Sequence, residues 1–436
     1  FEYKRFLGRN DTPKETRNTE QNAIPATALA SNGTPAIAIV PPSLPPLKVG
    51  ILHSLTGPMA ASERSIVDAF TFAIDEINEA GGLLGGRMIE PVIRDGKSYD
   101  SIFAEQAVEL IDVEKVITIF GVWRSSCRQS VELACQDKKY LLIYPTSYEG
   151  LEESPHVIYM GGTANQQITP GIKWAYAFLG KRKFFLVGTD GMCSHGAHEI
   201  IKDELSALGA SVVGNEFHSV SDSDFNPVAQ QIGASGADMI VNSVVGIGNI
   251  HLFSSLRQAG IRADKVPVLS LNVTEEDLRT MAPRGEDAAG NYAAWSYFQS
   301  LPNPKNQQFI AKFHKRFGIT RIISDPMVAA YNGMHLWALA VEASKSDRIE
   351  DIRKAIVQQQ FDGPEGLVTI DPRTQNARRL ALIGEVNRHL QFDVVWTSPR
   401  PLDPEPYPPS RTRAEWDEFV RSVRSRFSHQ WSYNFD

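Results

Sequence analysis

Four short polar segments, each placed directly after a predicted strand, have the residue types needed to hold a small polar molecule. They lie at residues 53–57, 121–126, 144–150 and 189–193. Hydroxyl groups and small residues recur in all four segments, and two of them add aromatic rings. Hydroxyl groups orient a ligand by hydrogen bonds, and an aromatic face can stack against it. The pattern therefore favours a binding site for a small polar molecule.

The second segment could also supply a nucleophile. Ser125, Ser126 and Cys127 precede a predicted helix, whose positive dipole end can activate such a group. However, the Gly-x-Ser-x-Gly turn of hydrolases does not occur there, and no histidine can be assigned as a base. Helix capping combined with a ligand contact is the preferred interpretation, so we predict no catalytic residue. An amide hydrolase that uses the same segments remains an alternative.

Cys193, His195 and His198 have a spacing that could suggest a metal site. Positions three apart on a helix converge only in part, and a fourth ligand is not evident. A helix cap at Ser194 with solvated histidines is therefore preferred. We predict no metal site.

Gly246 and Gly248 begin a pattern that resembles a dinucleotide-binding loop. His251 stands where that pattern requires its last glycine, so a glycine-permissive loop is the simpler interpretation. We predict no cofactor.

The elements that must position these segments alternate between strand and helix from residue 47 onward. This alternation is typical of parallel sheets covered by helices on both faces. Two such runs, each of roughly 100 residues, predict an α/β fold with two doubly wound parallel-sheet lobes. Because ligands bind in these folds at the carboxyl ends of strands, the four segments stand where a ligand is expected. The predicted strands lie at residues 47–52, 89–93, 116–120, 140–144, 183–187, 211–216, 239–244, 266–271, 368–370 and 392–396.

The composition is that of an ordinary globular protein. Lys and Arg total 44 and Asp and Glu total 51, so the formal net charge is −7. This mildly acidic balance argues against nucleic acid or an anionic membrane surface as the main partner. The apolar runs are shorter than the roughly 20 residues of a membrane-spanning helix. Three cysteines are too few for a disulfide framework, and whether Cys127 pairs with Cys135 stays open.

The two ends of the chain differ from its centre. Residues 1–46 lack periodic apolar residues and are rich in proline near their end, which predicts a flexible tail or linker. Residues 401–436 are predicted to form a proline-rich segment and a charged terminal helix at 411–427. The chain starts at Phe1 without a leader segment, so the sequence carries no signal from which to read the compartment.

Several blocks resemble the type I periplasmic binding proteins. The first two are LKVGILHSLTG at residues 47–57 and AIDEINEAGG at residues 73–82. Further blocks are similar to the urea and short-chain amide branch of the branched-chain amino acid-type receptors. They lie at residues 144–155, 164–167, 293–298 and 364–370. The resemblance runs from about residue 47 to about residue 407, with its blocks in the family order.

The resemblance implies two lobes joined by three hinge crossings, which close on a ligand. The crossings are expected near residues 161–165, 293–298 and 363–366. The first lobe would comprise residues 47–163 and 296–364, and the second lobe residues 164–295 and 365–400.

The resemblance also implies ligand-facing positions. Ser125 would form a hydrogen bond to an amide, Tyr144 would supply a flat wall and a phenolic hydroxyl, and Thr146 would supply a polar edge. Trp123 stands where relatives often have a tyrosine. The expected ligand-binding residues are Trp123, Ser125, Tyr144, Thr146, Tyr148, Ser54, Thr56, Cys193 and Gly246.

Two loops depart from the family pattern. Residues 191–193 read Gly-Met-Cys where relatives carry aromatic residues. Residues 245–247 read Val-Gly-Ile where the urea binders have Asn-Gly-Asp. The Val-Gly-Ile of this chain is closer to the amide sensors. These departures argue against urea itself and allow a larger or more apolar amide, or a site that has drifted.

The expected function is a non-enzymatic receptor for a small neutral polar ligand, urea-like or a short-chain amide. It would be the periplasmic or extracytoplasmic substrate-binding component of an ABC transporter, with a membrane permease as partner and no role for nucleic acid. The loops offer mainly hydroxyls, and an unpaired buried charge is costly, which favours a neutral ligand. Arg124, Glu149 and Asp190 could instead host an ionic ligand, so a branched-chain amino acid binder stays open. The other alternative is an amide-sensing regulator, or the cytoplasmic or extracytoplasmic input domain of a larger signalling protein, whose partner would be a signalling module.

Overall fold

The structure, a computed structural model, describes residues 44–281 and 288–427. A first sheet is formed by β1 (Leu47–His53), β2 (Ile89–Asp95), β3 (Ile119–Gly121), β4 (Leu142–Tyr144) and β5 (Val157–Tyr159). Helices α1 (Ala60–Glu79), α2 (Asp100–Asp112) and α3 (Ser125–Lys138) connect its strands. All five strands are parallel, in the order β2-β1-β3-β4-β5. Apolar residues follow one another in β1 because helices cover both faces of the sheet.

The chain then passes through a 3₁₀ turn (Ala164–Gln166) and α4 (Ile168–Phe178) into a second sheet. Here strands and helices alternate again. They are β6 (Lys183–Thr189), α5 (Met192–Leu208), β7 (Ser211–His218), α6 (Asn226–Ser235), β8 (Met239–Ser243), α7 (Gly248–Gln258), β9 (Val268–Ser270), α8 (Glu275–Met281) and β10 (Tyr292–Trp295).

The chain returns to the first sheet before it ends on the second. The returning elements are α9 (Pro304–Phe317), α10 (Asp325–Ser344) and α11 (Ile349–Ile356), followed by a small antiparallel sheet of β11 (Gln360–Gly363), β12 (Gly366–Ile370) and β13 (Ala377–Arg378). The last elements are β14 (Leu382–Val386), β15 (Phe392–Thr397) and α12 (Arg413–Arg426).

The second sheet has seven strands in the order β15-β14-β10-β9-β8-β6-β7. Strands β7, β6, β8, β9 and β10 run parallel, whereas β14 and β15 form an antiparallel edge. The predicted α/β fold with two parallel-sheet lobes is confirmed. The antiparallel edge was not predicted, because β14 has no strand counterpart in the sequence analysis.

Aromatic packing fixes the strand that carries the first half of the site. Phe120 of β3 contacts Phe70 of α1 and Trp337 of α10 edge-on, with ring centroids 5.5 Å and 5.6 Å apart. The Trp337 indole N–H donates to the Thr118 hydroxyl at 3.0 Å. Such contacts add to the burial of large rings, so the end of β3 is held rigidly. Cys127 and Cys135, in the helix that follows β3, are both free and buried.

The third crossing differs from the expected one near residues 363–366. Gly363 and Gly366 face each other in the hairpin of β11 and β12. Residues Val368 and Ile370, which follow, are buried in the core of the first sheet. The chain therefore crosses to the second sheet at 379–381, after β13, and the hairpin belongs with the first core because its apolar side chains are buried there.

The C-terminal segment covers α5 on the second sheet. Trp416, Val423 and Phe427 are buried in the same cluster as α5 and the second sheet. Arg411 pairs with Glu199 and Asp203 of α5. Of the tail predicted at residues 1–46, residues 1–43 lie outside the described residues. Of the segment predicted at residues 401–436, residues 428–436 lie outside them. Within the described ranges, none of the helices combines the length and apolar character that crossing a bilayer requires.

Candidate functional site

A small cavity lies between the two sheets, at the carboxyl ends of their strands. The loops after β3 and β4 line it from the first sheet, and the loops after β6, β8 and β9 line it from the second. Its volume is about 30 Å³, so a ligand of more than a few heavy atoms requires the two lobes to move apart. The lining residues are Trp123, Arg124, Ser125, Ser126, Ser147, Thr189, Asp190, Gly191, Met192, Cys193, Ser194, Val245 and Asn272.

A larger groove of about 480 Å³ lies between α4, α5 and the C-terminal segment, with Trp174, Phe178 and Trp396 in its walls. It shares no lining residue with the small cavity. Ligands of open parallel sheets bind at the carboxyl ends of strands, so the small cavity is the candidate site.

Backbone geometry shapes the turn that leads from β3 into the cavity. Val122 has φ +71°, an unusual value for a β-branched residue, and its N–H donates to the Leu52 carbonyl at 2.9 Å. Gly121 has φ +128°, and a Cβ there would lie 2.3 Å from the Leu52 oxygen. The turn therefore accepts strain to place Trp123 and the start of α3 at the cavity, as strained backbone often does at binding sites.

Two helix N-termini and one guanidinium converge on the cavity, whose wall also carries the Asp190 carboxylate. Helix α3 begins at Ser125 and α5 begins at Met192, both in the cavity wall, and no side chain caps either helix. Uncapped helix N-termini bind anions through their N–H groups and dipole. Arg124 adds a guanidinium that is 8% exposed, donates to the Ser98 carbonyl and lies 3.8 Å from Asp100. The cavity is thus suited to a negatively charged group.

The histidines near the cavity are engaged within the second lobe. His195 bonds Asp190 at 2.7 Å and stacks on Phe217. His198 bonds Asn215 at 2.6 Å and Ser243 at 2.8 Å, and burial lowers its pKa to about 3. His198 is therefore neutral at physiological pH.

An ion cluster in which Arg128 and Glu149 are fully buried lies directly behind the cavity wall. The Arg128 guanidinium bonds both Glu152 oxygens at 3.2 Å, lies 3.5 Å from Glu149 and faces the rings of Tyr144 and Tyr148. The Ser125 hydroxyl donates to Glu149 at 2.7 Å. Buried charges need such partners because removing one leaves another uncompensated. The cluster thus fixes the Ser125 side chain at the cavity.

Three of the expected ligand-binding residues line the cavity: Trp123, Ser125 and Cys193. The aromatic wall expected from Tyr144 is turned away, because this fully buried residue donates its hydroxyl proton to the Trp123 carbonyl at 2.5 Å. Thr146 bonds the Val122 carbonyl at 3.3 Å.

The structure places Tyr148, Ser54, Thr56 and Gly246 outside the cavity wall as well. Tyr148 bonds Asn376 at 2.9 Å, and Thr56 bonds Asp95 at 2.7 Å. Ser54 is buried, and its N–H donates to Glu63. At Gly246, with φ +59°, a Cβ would lie 2.8 Å from the Pro58 carbonyl oxygen, so this glycine allows two loops of different lobes to meet.

Sequence reasoning missed Asn272, which lines the cavity and donates to the Ser243 carbonyl at 3.2 Å. It is the first polar residue after the strand predicted at 266–271, so the strand-end rule could have found it. The other polar lining residues lie within or beside the four polar segments, but the sequence analysis did not select them as ligand-binding residues. They include Ser126, Ser147, Thr189 and Ser194.

Cys193 gives a direct test of the cavity. Burial, together with the neighbouring Glu149 carboxylate, raises the pKa of its thiol. Because the thiolate is the reactive form, we expect iodoacetamide to alkylate Cys193 at pH 8 at least about 10-fold more slowly than free cysteine. A ligand that fills the cavity should slow the reaction further.

The rate is measured by mass spectrometry, and Cys193→Ser reports any background from the two buried cysteines of α3. Alkylation as fast as that of free cysteine would contradict the geometry described for this cavity.

Comparisons with known proteins place this geometry in context. A family model described as a periplasmic binding protein domain matches residues 47–413. A Leu/Ile/Val-binding protein homolog of Brucella suis is 25% identical over 354 residues, 78% of this chain and 87% of the relative. A limonene hydroxylase of Geobacillus stearothermophilus matches only in part, at 35% identity over 119 residues, which cover 27% of this chain and 22% of that protein.

Among solved structures, the chain is similar to a solute-binding protein of an ABC transporter from R. palustris in complex with 4-hydroxybenzoate. The two share 27% identity with a TM-score of 0.74, and the match covers 82% of this chain and 98% of that one. These two relatives, which match along most of their length, are thus named for binding branched-chain amino acids and an aromatic acid.

Proposed function

The chain belongs to the periplasmic binding protein domain family, and from this membership we propose that it is an extracytoplasmic substrate-binding receptor of the ABC-transporter type whose ligand is a small organic carboxylate. The ligand enters between the two lobes and shifts the population toward the closed form. A membrane permease is the partner that reads this closed form.

One observation carries the ligand class: two uncapped helix N-termini and the Arg124 guanidinium meet at one cavity. A carboxylate there accepts charge-assisted hydrogen bonds, which are about twice as strong as neutral ones. A neutral amide would leave this positive potential unused. The 4-hydroxybenzoate of the R. palustris structure and the branched-chain amino acids named for the Brucella relative all carry a carboxylate, which supports the same class.

A urea-like or short-chain amide ligand is the second candidate. The observation in its favour is the cavity volume of about 30 Å³, which suits a molecule of very few heavy atoms without much lobe opening. The hydroxyl groups of the cavity wall also suit an amide. The two candidate ligands differ in charge, because an amide is neutral and a carboxylate is negative.

Binding without turnover is supported by the surroundings of Ser125. Its hydroxyl is engaged by a carboxylate and a guanidinium. Among the described residues that line the cavity, none is a histidine. An imidazole base for a serine nucleophile is thus missing from this wall. Sustained release of ammonia from benzamide or acetamide would overturn the receptor proposal.

The ligand class is tested by calorimetry with matched pairs that have the same shape but different charge: 4-hydroxybenzoate with 4-hydroxybenzamide, and leucine with leucinamide, together with acetamide and urea. At pH 7.5 we expect at least one acid to bind, at least about 10-fold more tightly than its amide. Arg124→Gln should remove most of this preference.

Arg64→Gln is the matched control, because Arg64 lies near the same loops but is exposed and bonds the Leu55 carbonyl at 2.8 Å. An amide that binds as tightly as its acid, in wild type and in Arg124→Gln alike, would replace the carboxylate proposal with the amide candidate.

A further inference from the structure

We propose that Glu149 is a specificity-determining positioning residue, which makes Ser125 a hydrogen-bond acceptor toward the ligand. The proposal rests on the receptor function above and narrows its ligand class. The ligand must carry an N–H or O–H donor in addition to its carboxylate, as amino acids and hydroxy acids do.

The first step is the hydrogen-bond sense of Ser125. Its oxygen lies 2.7 Å from Glu149 Oε2 and 3.1 Å from Arg128 Nη1. A guanidinium only donates, and an ionised carboxylate only accepts. The Ser125 proton therefore goes to Glu149, and one of the two lone pairs accepts from Arg128. The lone pair that remains is the hydrogen-bonding capacity that the Ser125 hydroxyl, as distinct from its backbone N–H, can offer to the cavity.

The second step is the rigidity of Glu149. Its side chain is fully buried beside the Arg128 guanidinium, 3.5 Å away. A Cβ on Gly196 of α5 would lie 2.9 Å from Glu149 Cγ, so α5 of the other lobe packs directly against this side chain. Glu149 Oε1 is the buried atom that lies 3.5 Å from the guanidinium, whereas Oε2 accepts from Ser125. Glu149 therefore holds one orientation, with Oε2 toward Ser125.

The third step is that two neighbouring serines also donate their hydroxyl protons to protein acceptors. Ser126 donates to Asp100 at 2.9 Å, and Ser194 donates to the Ser243 carbonyl at 3.1 Å. Both therefore present lone pairs to the cavity. Ser147 and Thr189 instead accept from backbone N–H groups, at 3.0 Å each, and keep their protons free. The acceptor wall at α3 and α5 would leave unpaired lone pairs against a ligand that has no donor, which weakens binding.

The test uses pairs of probes that differ in a donor: leucine with 4-methyl-2-oxopentanoate, 4-hydroxybenzoate with benzoate, and acetamide with acetone. Wild type should prefer the donor-bearing member of each pair that binds by at least about 10-fold. In Glu149→Gln the amide oxygen turns to Arg128 and the amide nitrogen donates to Ser125. The Ser125 proton then points into the cavity, so the preference should fall below about 3-fold or reverse.

Glu152→Gln is the matched control. It also removes a carboxylate from Arg128, but Glu152 does not bond Ser125, so the donor preference should persist. Thermal unfolding of both variants shows whether they fold. A preference that Glu149→Gln leaves unchanged, or that Glu152→Gln abolishes equally, would overturn the proposal.

A measurement without ligand separates this proposal from the receptor function. Neutron diffraction on the deuterated protein locates the Ser125 deuterium, which X-ray data at ordinary resolution do not show. We expect it on the line to Glu149 Oε2. A deuterium that points into the cavity would overturn the proposal even if every acid binds. If no probe binds but the deuterium lies toward Glu149, the proposed ligand class fails while the assignment of Ser125 as an acceptor stands.

Discussion

Replacing Arg379 with methionine should lower the free energy of unfolding by about 3–5 kcal/mol, because it leaves two buried carboxylates without their partner. Arg379 is fully buried and bonds Asp325 at 2.9 Å and 3.0 Å and Glu365 on its other side. Asp325 also accepts the Ser296 N–H at 3.0 Å. The cluster therefore ties the second crossing, at Ser296, to the third crossing, at Arg379, and its loss should be measurable by urea denaturation at pH 7.

Arg262→Met is the control for this experiment. Arg262 is 76% exposed and pairs with Asp264 at 3.3 Å on the surface, so its loss should change stability by less than about 1 kcal/mol. Adding Asp325→Asn and Glu365→Gln to Arg379→Met should restore part of the lost stability, since the uncompensated charges are then gone. A change below about 1 kcal/mol for Arg379→Met alone would show that the cluster does not hold the crossings.

The cavity wall could be predicted in part because strand ends are a local property of the sequence. The predicted strands at 116–120 and 183–187 end within two residues of β3 and β6. The segments that follow them supply Trp123, Ser125 and Cys193 to the wall. Apolar runs and the polar residues that end them are visible without tertiary structure.

Which residues of a loop face the cavity could not be predicted. Tyr144, Thr146 and Tyr148 occupy alternate positions and lie behind the wall, whereas Ser147, between two of them, lines it. The rings of Tyr144 and Tyr148 instead face the Arg128 guanidinium, a contact that no local pattern of the sequence marks.

Long-range ion pairs also lie beyond sequence reasoning. Asp325 and Arg379 are 54 residues apart, and no local pattern marks them as partners. Glu149 and Arg124 were recognised as charged exceptions, but their roles depend on the fold. Glu149 faces Arg128 and Ser125, whereas Arg124 stands in the cavity wall itself. Only three-dimensional placement separates a structural charge from one that meets a ligand.

Stability should fall by about 2–3 kcal/mol as the pH rises from 6.5 to 8.5, because two buried glutamates of α8 must ionise. Burial raises the pKa of Glu275 to about 8 and that of Glu276 to about 7. In the unfolded chain both groups are ionised at pH 6.5, near their ordinary pKa of 4.5. The folded state thus binds more protons, and this contribution to stability is lost as the pH passes the raised values. Neutral His198 acts in the opposite direction, but only below its ordinary pKa of 6.5.

The position of Glu276 between the two lobes indicates that its ionisation should also affect lobe closure. Its carboxyl group accepts the Ser65 hydroxyl of α1 at 2.5 Å, so it joins elements of the two lobes. Burial raises the pKa of Glu276 most, the Ser65 bond and Arg321 lower it, and Asp277 and Asp68 raise it. Burial and the two carboxylates therefore oppose ionisation, and one of these carboxylates, Asp68, belongs to α1 of the other lobe.

The double variant Glu275→Gln and Glu276→Gln should make stability nearly independent of pH between 6.5 and 8.5 and tighten ligand binding at pH 8.5. Urea denaturation and calorimetry measure the two effects, with the exposed Glu105→Gln as control. If the double variant keeps the wild-type slope, another group titrates in this range and the contact between α1 and α8 does not control closure.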